Sequence, residues 1–120
     1  GDEEAYRRAL ASAERKYQAG NFSGAVADYR RALAAKDTSV AHAGLGRALY
    51  DGNQPREAQE ALLRAIELDA RNARAWLALA EIYVEQDRKA DARRAYLRYL
   101  ELEPNGPYAR DVRSVLQQLK

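Results

Sequence analysis

Apolar residues along this chain recur at steps of three and four, in short blocks. Leu45, Ala48 and Leu49 make one stripe, and Ala58, Ala61, Leu62, Ala65 and Ile66 make the next. That spacing keeps one face of an α-helix apolar, whereas a half-buried strand would alternate at every second residue. Turn chemistry separates the blocks, at Ala19-Gly20-Asn21, Asp51-Gly52-Asn53 and Gln86-Asp87. Pro55 suits the first turn of a helix, where its missing N–H costs nothing. The pattern predicts seven helices, near 3–19, 22–35, 39–51, 55–68, 73–86, 89–102 and 107–119.

The blocks repeat. Tyr17 to Ala25, with Tyr29, Ala32 and Leu33, lines up with Leu49 to Ala58, with Leu62, Ala65 and Ile66. Both line up with Tyr83 to Ala92, with Tyr96, Tyr99 and Leu100. The anchoring alanines Ala25, Ala58 and Ala92 are 33 and 34 residues apart. Each unit is two helices joined by a short polar turn. Such a unit cannot bury its apolar face alone and must stack on its neighbours.

A period near 34 residues with Trp76, Leu79, Ala80, Tyr83, Ala92, Tyr96 and Pro104 at these spacings resembles the tetratricopeptide repeat. The second unit adds Leu45, Gly46, Leu49, Ala58, Leu62 and Ala65, and the first Ala13, Gly20, Ala25, Tyr29 and Ala32. The resemblance implies one all-α domain over residues 1–120, a right-handed α-solenoid of antiparallel helix pairs. Its repeats would run near 6–38, 39–72 and 73–106, with a capping helix near 107–119. The signature residues are packing residues. Small ones (Ala13, Gly46, Ala80, Ala25, Ala58, Ala92) let helices approach, and large ones (Tyr29, Leu62, Tyr96) fill the gap to the next helix.

The last repeat needs a lid, and Tyr108, Val112, Val115, Leu116 and Leu119 give one apolar stripe for it after the break at Gly106-Pro107. Tyr99 departs from the pattern, because Ala32 and Ala65 hold its position in the other repeats. A ring there implies either a cap that packs unlike a fourth repeat or an exposed aromatic available to a partner.

Composition narrows the functional classes. The chain is 47% hydrophobic and 32% charged, with 20 basic and 18 acidic residues interspersed. No apolar run is long enough to cross a bilayer. The chain has no Met, which suggests a piece excised from a longer protein, with Gly1 left by the excision. Absence of Cys removes disulfides, thiol catalysis and Cys-ligated zinc. A cytoplasmic location is the expectation, with the periplasm as the alternative.

Candidate chemistry is sparse. His42 is the lone histidine and occupies the packing position of Trp76. Acid–base or metal chemistry needs a second group beside it. Ser12, Ser23, Ser39 and Ser114 lack a nucleophile-elbow context, and the glycines form no phosphate loop. The expectation is a non-catalytic chain with no cofactor and no metal.

A binding groove is the stronger expectation, since the first helix of each pair lines the concave side of such stacks. By register with the family, the groove residues are Leu10, Glu14 and Tyr17, then Ala43, Arg47 and Tyr50, then Arg74, Leu77, Glu81 and Val84. Tyr and Arg are favoured anchors at interfaces. Arg47, between Glu14 and Glu81, is expected to be neutralised by them, and Tyr17, Tyr50 and Val84 could instead be partly core. Some family members hold a chaperone's C-terminal carboxylates with Lys, Asn and Arg. Here those positions carry Leu10, Glu14, Gly44, Arg74 and Ala78, and only Arg74 suits the role.

The partner expected is therefore a peptide or helix of another protein, in the assembly of a bacterial secretion, pilus, motility or signalling complex. The alternative is self-association, by stacking or through Tyr99. The basic groups Arg30-Arg31 and Arg93, Arg94, Arg98 are interleaved with acids, so neither nucleic acid nor membrane insertion is expected.

Overall fold

The computed structural model of the chain describes residues 1–119. They form α1 (Asp2–Gln18), α2 (Phe22–Ala35), α3 (Ser39–Asp51), α4 (Pro55–Leu68), α5 (Ala73–Glu85), α6 (Lys89–Leu102) and α7 (Ala109–Gln118). No strand occurs among the described residues. Helices α1–α2, α3–α4 and α5–α6 pack as antiparallel pairs, and each pair stacks on the next, with α7 against α6. The predicted helices all appear, with ends within one residue except at α7.

Local chemistry sets the helix ends. Asn21, Thr38 and Asn72 cap α2, α3 and α5, each side-chain oxygen accepting from the backbone N–H three residues on. Ser39, read from sequence as near a helix start, is the first residue of α3.

Each first helix ends in the same turn. Gly20 (φ +80°), Asn53 (φ 68°) and Asp87 (φ 57°) adopt the left-handed conformation at matching positions. The N–H one residue on bonds back over a full turn in all three: Asn21 to Lys16, Gln54 to Leu49 and Arg88 to Tyr83, at 2.8 Å each. This is the Schellman closure, which satisfies the last carbonyls of the helix. Glycine adopts this conformation freely, whereas aspartate is strained in it. Asp87→Gly should therefore raise stability by about 0.5–1 kcal/mol. A thermal midpoint unchanged or lowered by this substitution would contradict the reading.

Packing follows the small and large positions. Ala13, Ala25, Ala58, Ala80 and Ala92 are fully buried, as is Leu62, and Tyr29 is 3% exposed. Tyr29 projects from α2 onto Gly44 of α3, where an added Cβ would come within 2.3 Å of the ring. The next repeat carries Leu62 and Ala78 at these two positions. The ring and the glycine thus form a matched pair. Gly44→Ala should cost about 1–3 kcal/mol by overpacking. The double variant Tyr29→Leu, Gly44→Ala should recover most of that loss, because it reproduces the Leu62 and Ala78 pair. Additive losses in denaturant melts would refute the coupling.

Polar ladders fix the stacking register. At the N-terminal ends of the first helices, the Tyr6 and Thr38 hydroxyls lie 2.8 Å apart, and Asn72 donates to Ser39 Oγ at 2.9 Å. At the C-terminal ends, Tyr17 Oη donates to Asp51 and Tyr50 Oη donates to Glu85 at 2.6 Å. The N-termini of α1, α3 and α5 thus lie side by side, and so do their C-termini.

The two ends of the stack are finished differently. Repeat one places Ser12, Lys16 and Asp28 where repeat two has Leu45, Leu49 and Ala61. Asp28 is 2% exposed and accepts from Ser12 Oγ (2.5 Å), Lys16 Nζ (2.8 Å) and Arg31 Nη1 (2.9 Å). The Lys16 and Ser12 bonds lead in holding its carboxyl below the usual range. A polar lock thus stands in repeat one where repeat two uses apolar burial.

At the other end Tyr99 is 2% exposed. This overturns the exposed-aromatic alternative and removes Tyr99 as a route to self-association. Its Oη accepts from Tyr108 N at 3.3 Å, and its ring meets the Tyr108 ring edge-on, centroids 6.5 Å apart. With Tyr108 N held there, α7 begins at Ala109 rather than near residue 107. Arg113 pins the same loop by donating to Pro104 O at 2.6 Å. Val112 is buried and Val115, Leu116 and Leu119 are half-buried, but Tyr108, expected in that stripe, is 47% exposed.

Candidate functional site

A cavity opens on the side formed by the first helices of the pairs. Its lining is Tyr17 of α1, Arg47, Tyr50 and Asp51 of α3, Arg74, Leu77, Ala78 and Glu81 of α5, and Tyr108 of the α6–α7 loop. The floor is small and apolar at Leu77 and Ala78. Tyrosines and charges make the walls.

Arg47 lies over the Tyr17 ring, 4.7 Å from its centroid. The cation is attracted by the negative face of the ring. Arg47 makes no ion pair with Glu14 or Glu81, so the expected neutralisation is replaced by stacking. Tyr17 and Tyr50 are half-buried against the main core, and both spend their hydroxyls on the ladder carboxylates. Burial, reinforced by Asp51 and Glu85 respectively, pushes both phenols above the ordinary tyrosine range, Tyr50 the further.

Glu81 is reached by solvent, yet the surrounding protein raises its carboxyl above the usual range, with repulsion from Asp51 and Glu85 adding to the effect. Arg47 only partly opposes it. A folded pKa above the unfolded one means that ionising Glu81 opposes folding. Its contribution is harmless below about pH 4 and becomes unfavourable as pH rises through the folded value. Glu81→Gln should therefore raise the thermal midpoint at pH 7 by about 1–2 °C and leave it unchanged at pH 3.5. Equal midpoints at both pH values would show that the groove does not strain this carboxylate.

Six of the ten groove residues read from sequence lie together in this lining: Tyr17, Arg47, Tyr50, Arg74, Leu77 and Glu81. Four do not. Ala43 is 4% exposed within the core, and Leu10 is half-buried against it. Glu14 is exposed outside the cavity, and Val84 is 39% exposed beyond its rim. Asp51, Ala78 and Tyr108 join the lining without having been read as part of the groove. Asp51 belongs to a helix end that sequence assigns to a turn, and Tyr108 arrives only because Tyr99 shortens α7.

Several charges elsewhere are paired. Asp37 binds His42 Nε2 at 2.7 Å and Arg64 at 3.0 Å, and these bonds hold its carboxyl low. His42 is thus half-buried and engaged, as its alignment with Trp76 suggests. Of the basic groups, Arg30 meets Glu57, Arg31 meets Asp28, Arg94 meets Asp91 and Arg98 meets Glu101. No helix among the described residues is long and apolar enough to cross a membrane.

The family model described as tetratricopeptide repeat matches residues 43–109, more than half of the chain. The chain belongs to the tetratricopeptide repeat family. The tetratricopeptide fold is shared with the Arabidopsis OM64 domain (TM-score 0.91, 19% identity, 98% of each chain covered). It is shared too with the first such domain of Spaghetti (RPAP3), solved bound to the HSP90 peptide SRMEEVD (TM-score 0.88, 17% identity, 97% of this chain and 93% of that one). In sequence, the chain is 37% identical over 78 residues to Protein O-mannosyl-transferase TMTC3 of Homo sapiens, covering 63% of this chain and 8% of that protein. This tetratricopeptide chain therefore spans less than a tenth of that relative's length.

Proposed function

We propose that this chain is a non-catalytic interaction scaffold that takes a peptide or helix of a partner protein in its concave groove, within the assembly of a larger complex. One observation carries the reading: tyrosines, arginines and a small apolar floor from three successive repeats line a single open cavity. Tyr and Arg offer large contact surfaces at interfaces, and the small floor at Leu77 and Ala78 leaves room for incoming side chains. The Spaghetti domain, which shares this fold, was solved with a peptide bound. An HSP-type carboxylate clamp is not part of the proposal. Leu10, Glu14, Gly44 and Ala78 supply no donors for it, and Glu81 and Asp51 would repel an acidic tail. The finer role in a bacterial secretion, pilus, motility or signalling complex rests on the family resemblance alone.

Peptides selected from a random display library against the folded chain provide the test. They should shift the amide signals of α1, α3 and α5, centred on Tyr17, Arg47, Tyr50 and Leu77. The double variant Arg47→Glu, Arg74→Glu should weaken them about tenfold or more while leaving the melting curve nearly in place. Peptides that map to α2, α4 and α6 and ignore the double variant would overturn the groove reading. The second reading, self-association, predicts a mass in sedimentation equilibrium that rises with concentration through the micromolar range.

A further inference from the structure

We infer that the groove is sorted by charge across its width, and that it takes an amphipathic helix with acidic side chains along one flank and basic side chains along the other. This rests on the groove reading above and names the chemistry of its occupant.

The first helices lie parallel, with their N-termini along one edge of the groove and their C-termini along the other, as the two ladders require. Arg74 is the second residue of α5. Asp51 and Glu85 are the last residues of α3 and α5, and Glu81 lies one turn before the end of α5. One edge is therefore cationic and the other anionic, with Arg47 between them.

Each placement is the wrong one for the helix that carries it. A helix N-terminus bears partial positive charge and a C-terminus partial negative charge, so a first-turn Arg and last-turn carboxylates are both unfavourable. The three parallel dipoles add to this sorting rather than cancel it. Some charged termini follow the ordinary rule: α1 opens with Asp2, Glu3 and Glu4 and closes with Arg15 and Lys16, and α4 and α6 carry Glu57 and Asp91 in their first turns. The rule is broken at the groove by Arg74, Asp51 and Glu85, and away from it by Arg56, Glu67, Lys89, Glu101 and Arg110.

The groove charges are also left without partners of opposite sign. Twelve ion pairs form among the described residues, and none includes a residue of the cavity lining. Asp51 and Glu85 receive only tyrosine hydroxyls. A ligand that brings a carboxylate to Arg74 and an ammonium or guanidinium to Asp51, Glu81 and Glu85 would satisfy both edges at once.

Width selects a helix over an extended strand. Arg74 and Glu85 are 11 residues apart on α5, or roughly 16 Å along its axis. A helix is about 10–12 Å across with its side chains, so long charged groups on opposite flanks reach both edges.

The probes are four labelled 18-residue helical peptides with the same Leu/Ala inner stripe. One carries Glu along one flank and Lys along the other. One has the same composition with the charges intermixed, and two carry only Glu or only Lys. Fluorescence anisotropy against the intact chain should show the sorted peptide binding about tenfold tighter than each of the others at low salt. That preference should shrink in about 0.5 M NaCl. Arg74→Glu, an exposed substitution, should abolish it and favour the all-Lys peptide. Equal affinity of the sorted and intermixed peptides, with shifts on α1, α3 and α5, would overturn charge sorting and leave the groove reading intact. Shifts on the second helices, or no binding by any peptide, would overturn both.

Discussion

The closest helix contacts are made where side chains nearly vanish. Ala25, Ala58 and Ala92 are fully buried, and each lets the second helix of its pair lie close against the first. That approach leaves each pair with an uncovered apolar face, and only the next pair can cover it. The largest core cluster consequently runs unbroken from Ala13 of α1 to Ile82 of α5, and Tyr83 borders both it and the cluster that continues under α7. Variation is tolerated within that rule when volumes compensate, as in Tyr29 over Gly44 in one interface and Leu62 with Ala78 in the next.

Apolar contact is non-directional, so it does not by itself choose a stacking register. Directional bonds do so here. The Tyr6–Thr38 and Ser39–Asn72 contacts tie one end of the first helices, and the Tyr17–Asp51 and Tyr50–Glu85 bonds tie the other. The ladder at the C-terminal ends stops at Val84, which has no hydroxyl. Repeat one carries the Ser12–Lys16–Asp28 lock where repeat two has apolar residues. The last repeat answers with Tyr99, which holds the loop and sets where α7 begins.

The helices and their pairing were legible because they rest on period and on turn chemistry, both local. Left-handed Gly20, Asn53 and Asp87 fall at one repeat position, and the turn composition already marks them. Interactions that depend on side-chain reach were not legible. Arg47 has acids on both sides in the alignment, yet it settles on the Tyr17 ring beside it. Comparison with Ala32 and Ala65 leaves Tyr99 either under an unusual cap or exposed, and a six-residue loop folding over it decides for the cap. Tyr108 was placed in the cap stripe, and the two-residue delay of α7 moves it to the groove mouth. Each miss turns on one contact between distant residues, which a periodic pattern does not encode.

The same separation bears on the proposed function. Most residues that define the family are consumed by packing, so they do little to distinguish one ligand from another. Discrimination must come from the positions that packing leaves free, and those are the ones that vary between repeats: Glu14, Arg47 and Glu81 at one, and Val40 and Arg74 at another. Folding alone gives no reason to keep Glu81 in a setting that raises its pKa, or Arg74 against the positive end of α5. Neutral residues would serve the helices better at both places. A charge that is costly to the free chain and unpaired within it is best understood through what it meets when the groove is filled.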